Sequence, residues 1–344
     1  MKIGILGHFA IGKDFYDGQT VKTREMFDEL KLDQQFQIDV VDTYTMKDNK
    51  KSVFFKIWNL LKNNNKIIIS LSWNGHSKVM PIIYLYNLIF RRPIFDVVIG
   101  GNKQEHYKKS LLQRFLASSL SGSYVESQRM VKAYNEMGLT RVKYMPNFKK
   151  LDIVKKDIDF SLDDTLPVCT FSRVCAEKGI EEAIQAVIKT NQILGKKRYT
   201  LTIYGNIEDN YKKRFADLMK QVPSYISYGG LVPYDQTTEV LKNYFLLLFP
   251  TWWEGEGFPG TLIDAFAAGV PAIVSDWKYN SEIIQEGKTG YIIPIHDVEA
   301  LSQKLIYCST HINTIEVMQK SCQLKMSEYL PINALSILKE DLIK

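Results

Sequence analysis

The residues best suited to chemistry lie in one stretch, Phe249 to Asp276, FPTWWEGEGFPGTLIDAFAAGVPAIVSD. It reads as an apolar strand, a loop with two glutamates and three glycines, a helix, and a second strand. Gly255, Gly257 and Gly260 let the backbone approach a ligand closely, and Thr261 and Leu262 open a helix whose free amides suit a phosphate. Glu256 stands just before that helix and Asp264 one turn inside it, so both carboxylates reach the same end. A carboxylate accepts two hydroxyl hydrogen bonds at once, which suits a pair of acids to the vicinal diols of a ribose or a hexose. The plain alternative is an exposed loop acid at Glu256 and a solvated or capping acid at Asp264.

The elements that must position this stretch recur along the whole chain. Short β-rich runs alternate with helical stretches, the pattern of α/β parallel sheets covered by crossover helices. The first half has strand patterns at Lys2 to Gly7, Phe36 to Thr43, Lys66 to Leu71, Phe95 to Gly100, Ser123 to Glu126 and Val142 to Met145. The second has them at Pro167 to Ser172, Tyr199 to Tyr204, Ile226 to Tyr228, Phe245 to Phe249, Ala272 to Ser275 and Tyr291 to Ile293. Apolar residues three and four apart mark helices at Gly179 to Leu194 and Tyr211 to Gln221. The polar segment Asn147 to Thr165 breaks the alternation and serves as a linker between two copies of one architecture. We therefore expect domains at 1–155 and 156–325, with 326–344 a terminal helix returning to the first. Open parallel sheets bind ligands beyond the carboxyl ends of their strands, so the expected site faces both sheets.

The 344 residues are 45% hydrophobic and 24% charged, which excludes disordered, collagenous and disulfide-scaffold classes. Cys169, Cys175, Cys308 and Cys322 have no CxxC spacing and read as reduced and buried, with no metal ligation. No run reaches the roughly 18 apolar residues of a spanning helix, and the apolar start ending at Gly12 is not a signal peptide, so a cytoplasmic protein is expected. The net charge of +6 is uneven: residues 1–150 carry 24 Lys and Arg against 13 Asp and Glu, and the remainder 20 against 25. A basic first half faces something anionic.

The run Glu256-Gly-Phe-Pro-Gly-Thr-Leu-Ile-Asp264-Ala-Phe-Ala-Ala-Gly269 resembles the EGFxxxxxEAxAxG mark of the retaining family 4 glycosyltransferases, glycosyl transferases group 1, of the bacterial surface-polysaccharide type. The resemblance implies a GT-B fold of two Rossmann-like domains facing a central cleft. It implies that Glu256 holds the donor sugar hydroxyls, that Gly257, Phe258, Pro259 and Gly260 approach the sugar through backbone, and that Asp264, where the family usually has Glu, grips the ribose. Phe171-Ser-Arg173-Val-Cys-Ala-Glu177-Lys178-Gly179 is similar to the family's GRxxxEKG. An Arg and a Lys on one strand-to-helix loop supply fixed positive charge for the diphosphate that leaves as the glycosidic bond breaks. Tyr204-Gly205 resembles the loop near the base, and Gly229-Gly230-Leu231-Val232 the loop at the nucleobase edge. Ser281-Glu282 with Gly287, Thr289 and Gly290 resembles a further family segment, in which Glu282 is structural.

In the first half, Gly18 and Gln19 stand where relatives carry a glycine-rich loop against the donor phosphate; capping by Asp17 and Thr20 is the alternative. Many relatives place a His after the fourth strand of this half, but here Val97 to Asn102 holds none, and His106 is the nearest candidate. Retaining transfer can use the leaving phosphate as base, with Glu256, Arg173 and Lys178 holding the transition state. Lys50, Lys51, Phe54, Phe55 and Trp58 read as an interfacial helix on an anionic membrane surface, each cation adding about 1 kcal/mol; a core helix with solvated lysines is the alternative. The expected function is hexosyl transfer from a nucleotide diphosphate sugar, a UDP-sugar, to a lipid-linked saccharide at the inner membrane face, as in capsule or surface-polysaccharide assembly. It needs no cofactor, metal or nucleic acid. A soluble transferase acting on a protein or small molecule, or a non-catalytic nucleotide-sugar-binding partner, are the alternatives.

Overall fold

Apolar strand patterns and amphipathic connections fold here into two parallel six-stranded sheets, each covered by helices. The structure is a computed structural model that describes residues 1–13, 17–44, 50–154 and 160–344, with the backbone alone for 50–52. The chain divides into two units. The first comprises Met1–Lys150, Gly255–Phe258 and Tyr329–Lys344; the second comprises Leu151–Glu254 and Pro259–Glu328.

In the first unit the strands are β1 (Lys2–Gly7), β2 (Gln37–Asp42), β3 (Lys66–Ser70), β4 (Ile94–Val97), β5 (Gly122–Val125) and β6 (Val142–Tyr144), ordered β2-β1-β3-β4-β5-β6. Its helices are α1 (Gly18–Lys31), α2 (Lys50–Asn63), α3 (Trp73–Phe90), α4 (Lys103–Lys109), α5 (Leu111–Ser118) and α6 (Gln128–Glu136). Right-handed crossovers put α1 on one face and α2, α3 and α5 side by side on the other, because the chain reverses direction across the sheet after β2. In register, Ile5 of β1 lies between Val40 of β2 and Ile68 of β3. The fourth strand ends at Val97, earlier than its apolar run to Gly100 suggests. Gly100 turns the chain there with φ +85, so the following residues leave the sheet.

In the second unit the strands are β7 (Leu166–Phe171), β8 (Tyr199–Tyr204), β9 (Ile226–Gly230), β10 (Leu246–Phe249), β11 (Ala272–Ser275) and β12 (Gly290–Ile293), ordered β12-β11-β10-β7-β8-β9. Around them lie α7 (Ile180–Ile193), α8 (Lys212–Met219), α9 (Thr237–Leu241), α10 (Gly260–Ala267), α11 (Asn280–Ile283), α12 (Val298–Thr310) and α13 (Ile312–Met326). The core is aliphatic, with Val168, Leu201, Leu248 and Ile273 fully buried between sheet and helices. All four cysteines are buried, and none forms a disulfide.

The chain ends with α14 (Pro331–Ala334) and α15 (Ser336–Ile343), which belong to the first unit. Leu335, Leu338 and Leu342 enter its core beside Ile5 and Phe95. Asp341 accepts from Tyr124 Oη at 2.7 Å and Lys143 Nζ at 2.5 Å, tying α15 to β5 and β6. The boundary expected at residues 155 and 156 lies outside the described residues. The segment read as linker does not run to Thr165 as a free tether: the Phe160 ring packs 5.2 Å from that of Phe245.

Candidate functional site

The carboxyl ends of β7, β8 and β10 in the second unit carry the cationic candidates. After β7 the chain runs through Arg173 into a single 3-10 turn, Ala176–Lys178, and then Gly179 opens α7. Gly179 has φ +72, and a Cβ there would lie 2.2 Å from the Pro250 carbonyl oxygen. Only glycine lets this turn press against the end of β10. The contact is fixed by the Trp252 amide donating to the Glu177 carbonyl at 2.8 Å. It leaves Lys178 buried, with Nζ 5.4 Å from the centre of the Phe249 ring. The Arg173 guanidinium lies 4.4 Å over the Trp253 ring and pairs with Glu208 at 2.5 Å. Stacking and pairing hold the guanidinium in a fixed orientation.

The neighbouring ends are equally close-packed. Gly205 has φ +134, and a Cβ there would meet the Ser172 carbonyl oxygen at 1.7 Å, so β7 and β8 approach through bare backbone. The Gly205 amide donates to the Gly230 carbonyl at 3.0 Å, and Tyr228 Oη donates to the Gly205 carbonyl at 2.7 Å. Leu231, next along, is exposed. Thr261 Oγ1 donates to the Phe171 carbonyl at 2.7 Å, pinning the start of α10 to the end of β7. Thr261 and Leu262 thus sit in the first turn of α10, preceded by Pro259 and Gly260, with Asp264 buried one turn further on. At the far edge, Gln285 donates its amide to Thr289 Oγ1 at 2.9 Å and Glu282 lies in α11, a turn-building arrangement.

Residues 255–258 belong to the first unit, and there Glu256 is 7% exposed. A Cβ on Gly101 would stand 1.9 Å from the Glu256 carbonyl oxygen, so the turn after β4 touches this loop through glycine. Phe258 is buried, its ring 5.1 Å from Tyr329, and its carbonyl accepts from Asn147 Nδ2 at 3.0 Å. The loop is further held by Glu126 at the end of β5, whose carboxylate accepts from the Phe258 amide at 3.2 Å and from Lys22 Nζ at 2.5 Å. Neither Glu126 nor Lys22 is evident from spacing. The available signal is an acid at the carboxyl end of a parallel strand, where buried charge is costly without a task.

The remaining first-unit candidates fall as follows. Gly18 starts α1, and a Cβ there would meet nothing within 4 Å. Asp17 caps that helix by accepting from the Thr20 amide at 2.7 Å, whereas the Thr20 hydroxyl is 2.9 Å from His8 Nδ1. Gln19 accepts from the Ser72 amide through its side-chain oxygen at 3.1 Å, linking α1 to the start of α3. His106, on α4, stacks flat on Trp73 with centroids 4.3 Å apart, and burial followed by the Lys109 charge lowers its pKa. Beneath it lies a buried cluster that the sequence does not announce. Lys103 Nζ reaches both Asp96 oxygens at 3.1 and 2.9 Å, and His76 Nε2 is 3.3 Å from the same carboxylate. Although burial alone would raise Asp96, Lys103 and His76 hold it at about 2.

Residues 156–319 match the family described as glycosyl transferases group 1. This segment is similar to that family over 164 of the 344 residues. It contains Arg173, Lys178, Gly205, Gly230, Glu256 and Asp264. The chain is 27% identical over 178 residues to the amylovoran biosynthesis glycosyltransferase AmsK of Erwinia amylovora, covering 51% of this chain and 42% of that protein. It is 30% identical over 164 residues to the UDP-N-acetylglucosamine–peptide N-acetylglucosaminyltransferase GtfA subunit of Streptococcus gordonii, covering 45% of this chain and 31% of that protein. The chain therefore spans less than half the length of these two relatives. Among solved structures, Anabaena HepE in complex with UDP-glucose superposes with a TM-score of 0.75 at 15% identity, covering 100% of this chain and 99% of that one. The fold class is accordingly α/β of the GT-B type, as the motif within the matched segment implies.

Among the described residues no three His, Cys, Asp or Glu side chains are grouped to hold a metal ion, and no helix is long and apolar enough to cross a membrane.

Proposed function

We propose that this chain is a retaining glycosyltransferase that moves a hexosyl group from a nucleotide diphosphate sugar to a saccharide acceptor in surface-polysaccharide assembly. The observation that carries the reading is the pair of buried carboxylates with seven residues between them, Glu256 and Asp264, within the segment that matches glycosyl transferases group 1. The two acids bracket a glycine-rich loop and the helix start that it leads into, where carboxylates and backbone amides can meet one polar ligand together. Glu256 holds the donor sugar hydroxyls and Asp264 the ribose. Gly257 and the first turn of α10 bring backbone amides to the sugar and phosphates; the Phe258 amide, expected to join them, is instead taken up by Glu126. Arg173 and Lys178 take up the charge of the leaving diphosphate, so this reading requires no metal. The leaving phosphate removes the acceptor proton, with His106 at most assisting. A UDP donor is supported by the UDP-glucose complex of HepE.

The acceptor in this reading is lipid-linked and met at the inner face of the cell membrane, with α2 as one contact through its exposed Phe54 and Phe55. A second reading, a protein acceptor, is favoured by the likeness to the GtfA subunit, whose name specifies a peptide.

A thermal-shift panel of nucleotide sugars tests the donor. A ligand at a hundred times its dissociation constant stabilises by about 2.7 kcal/mol, enough to rank UDP-sugars against others. Transfer to a polyprenyl-linked saccharide, lowered about 100-fold or more in Glu256→Ala, is the expected result. Full activity in that variant removes the reading, and transfer to a peptide but not to the lipid-linked saccharide establishes the second one.

A further inference from the structure

Helices α3 and α5 lie side by side: Gln113 Nε2 donates to the Ser77 carbonyl at 3.1 Å, and the rings of Tyr84 and Phe115 are 5.5 Å apart. Leu85, Leu88 and Ile89 of α3 and Leu111, Leu112 and Phe115 of α5 are 56% to 72% exposed. On α3 they follow a spacing of three and four along one side, opposite the buried Met80 and Ile83. Scattered single apolar residues on a surface are ordinary, whereas six on two adjoining helices form a patch that requires an occupant.

The charge around the patch indicates which occupant. From Asn49 to Phe95 the chain contains no Asp or Glu, and none occurs between His106 and Val125. The same two stretches carry Lys78, Arg91, Arg92, Lys108, Lys109 and Arg114. Arg91 is exposed, in left-handed conformation at the end of α3. Glu105, paired with Lys108 at 3.0 Å, borders the same region, and Arg92 donates to the Leu61 carbonyl at 3.2 Å, which leaves Lys78, Arg91, Lys109 and Arg114 as the unbalanced charges. An apolar centre with a predominantly cationic border is the composition of a surface that inserts into an anionic leaflet. A second copy of this chain would bring the same positive border against it, which is repulsive. Trp58, expected to be a membrane contact, is instead half-buried against Tyr86 and Phe90 of α3, at 5.0 and 4.8 Å. It serves to pack α2 onto α3. The side chains of Lys50 and Lys51 lie outside the described residues.

We propose that the exposed side of α3 and α5, with Leu88 and Phe115 at its centre, docks this protein onto an anionic lipid bilayer. The purpose of docking rests on the lipid-linked acceptor proposed above; the binding itself does not.

The test uses the full chain with vesicles of 70% phosphatidylcholine and 30% phosphatidylglycerol, and with pure phosphatidylcholine, read by co-sedimentation without donor. The expected result is binding to the anionic vesicles that falls about tenfold or more on pure phosphatidylcholine or in 0.5 M NaCl. Leu88→Glu and Phe115→Glu each lower it about tenfold, as does the milder Leu88→Ser at an unchanged melting temperature. Leu324→Glu, at an exposed apolar position of the second unit, leaves it unchanged. Absence of binding to the anionic vesicles, or equal binding by the α3 and α5 variants, overturns the proposal. So does a solution dimer that Leu88→Glu dissociates, since a second copy then occupies the patch. A nucleotide-sugar thermal shift on the same preparations reads the transferase proposal separately.

Discussion

The backbone amide of Phe258 donates to Glu126 Oε2 at 3.2 Å, while the other oxygen of that carboxylate accepts from Lys22. A loop that carries a candidate catalytic acid is thus held by a side chain from the end of β5, and that side chain is held by α1. Lys22 Nζ also donates to the Val98 carbonyl at 3.1 Å. Both side chains are almost wholly buried. Gly257 completes the fit, since a Cβ there would lie 2.9 Å from Glu126 Oε2.

Removing one member of this pair leaves the other charge buried and unmatched. Glu126→Ala is therefore expected to cost about 3 to 5 kcal/mol in chemical denaturation. The double variant Lys22→Met/Glu126→Gln removes both charges and retains an acceptor for the Phe258 amide. It should be more stable than the sum of the single effects implies, by about 2 kcal/mol of coupling. Additive costs below about 1 kcal/mol would show that the pair does not hold the loop.

Gly101 tests the loop from its other side. Gly101→Ala places a methyl group where the Glu256 carbonyl oxygen now sits, 1.9 Å away, so the loop must shift. A displacement near 1 Å at a reacting group costs about 100-fold in kcat/KM. Gly75→Ala in α3 is the control: its Cβ would make only ordinary contacts with Leu71, at 3.6 Å. Activity within twofold of the parent for Gly101→Ala would detach this turn from the chemistry.

Arg173 is oriented by two partners of different kinds, the face of Trp253 and the carboxylate of Glu208. Arg173→Lys retains the charge and loses the planar fork and the stack. If the guanidinium neutralises a leaving diphosphate, kcat falls about 100-fold or more while KM for the donor changes much less, because the charge is greatest in the transition state. Equal effects on kcat and on nucleotide affinity in steady-state kinetics would instead assign Arg173 to ground-state binding.

Much of this architecture is legible in the sequence because parallel strands buried on both faces read as continuous aliphatic runs. Lys66 to Ser70 and Leu246 to Phe249 are such runs, and their positions follow directly from composition. The group 1 segment is legible for a different reason: its glycines at 179 and 205 meet backbone atoms that leave no room for a side chain, so residue type encodes contact. The buried charges of the first unit are not legible. Lys22, His76, Asp96, Lys103 and Glu126 are separated by up to 104 positions, and on a one-dimensional chain each reads as an ordinary surface residue. Burial of Trp58 is hidden similarly, because an amphipathic helix with lysines has the same spacing whether its aromatic face meets lipid or a neighbouring helix.

The buried His76 gives a pH dependence whose sign can be worked out. It is 1% exposed and shares its surroundings with Asp96, Lys103 and Tyr107. Burial, and then the positive charge of Lys103, hold its pKa below the ordinary value of 6.5. Below pH 6.5 the unfolded chain therefore takes up a proton that the folded chain refuses, so stability is present above that pH and declines on acidification. The limiting slope for one such group is about 1.4 kcal/mol per pH unit. Asp96, held at about 2, adds a separate loss that begins only near pH 4. Between about pH 6.5 and 5, melting temperature should thus fall more steeply for the parent than for His76→Gln, which has no proton to refuse. Parallel melting curves of parent and variant across that interval would mean that His76 is protonated in the folded state and pairs with Asp96 as a cation.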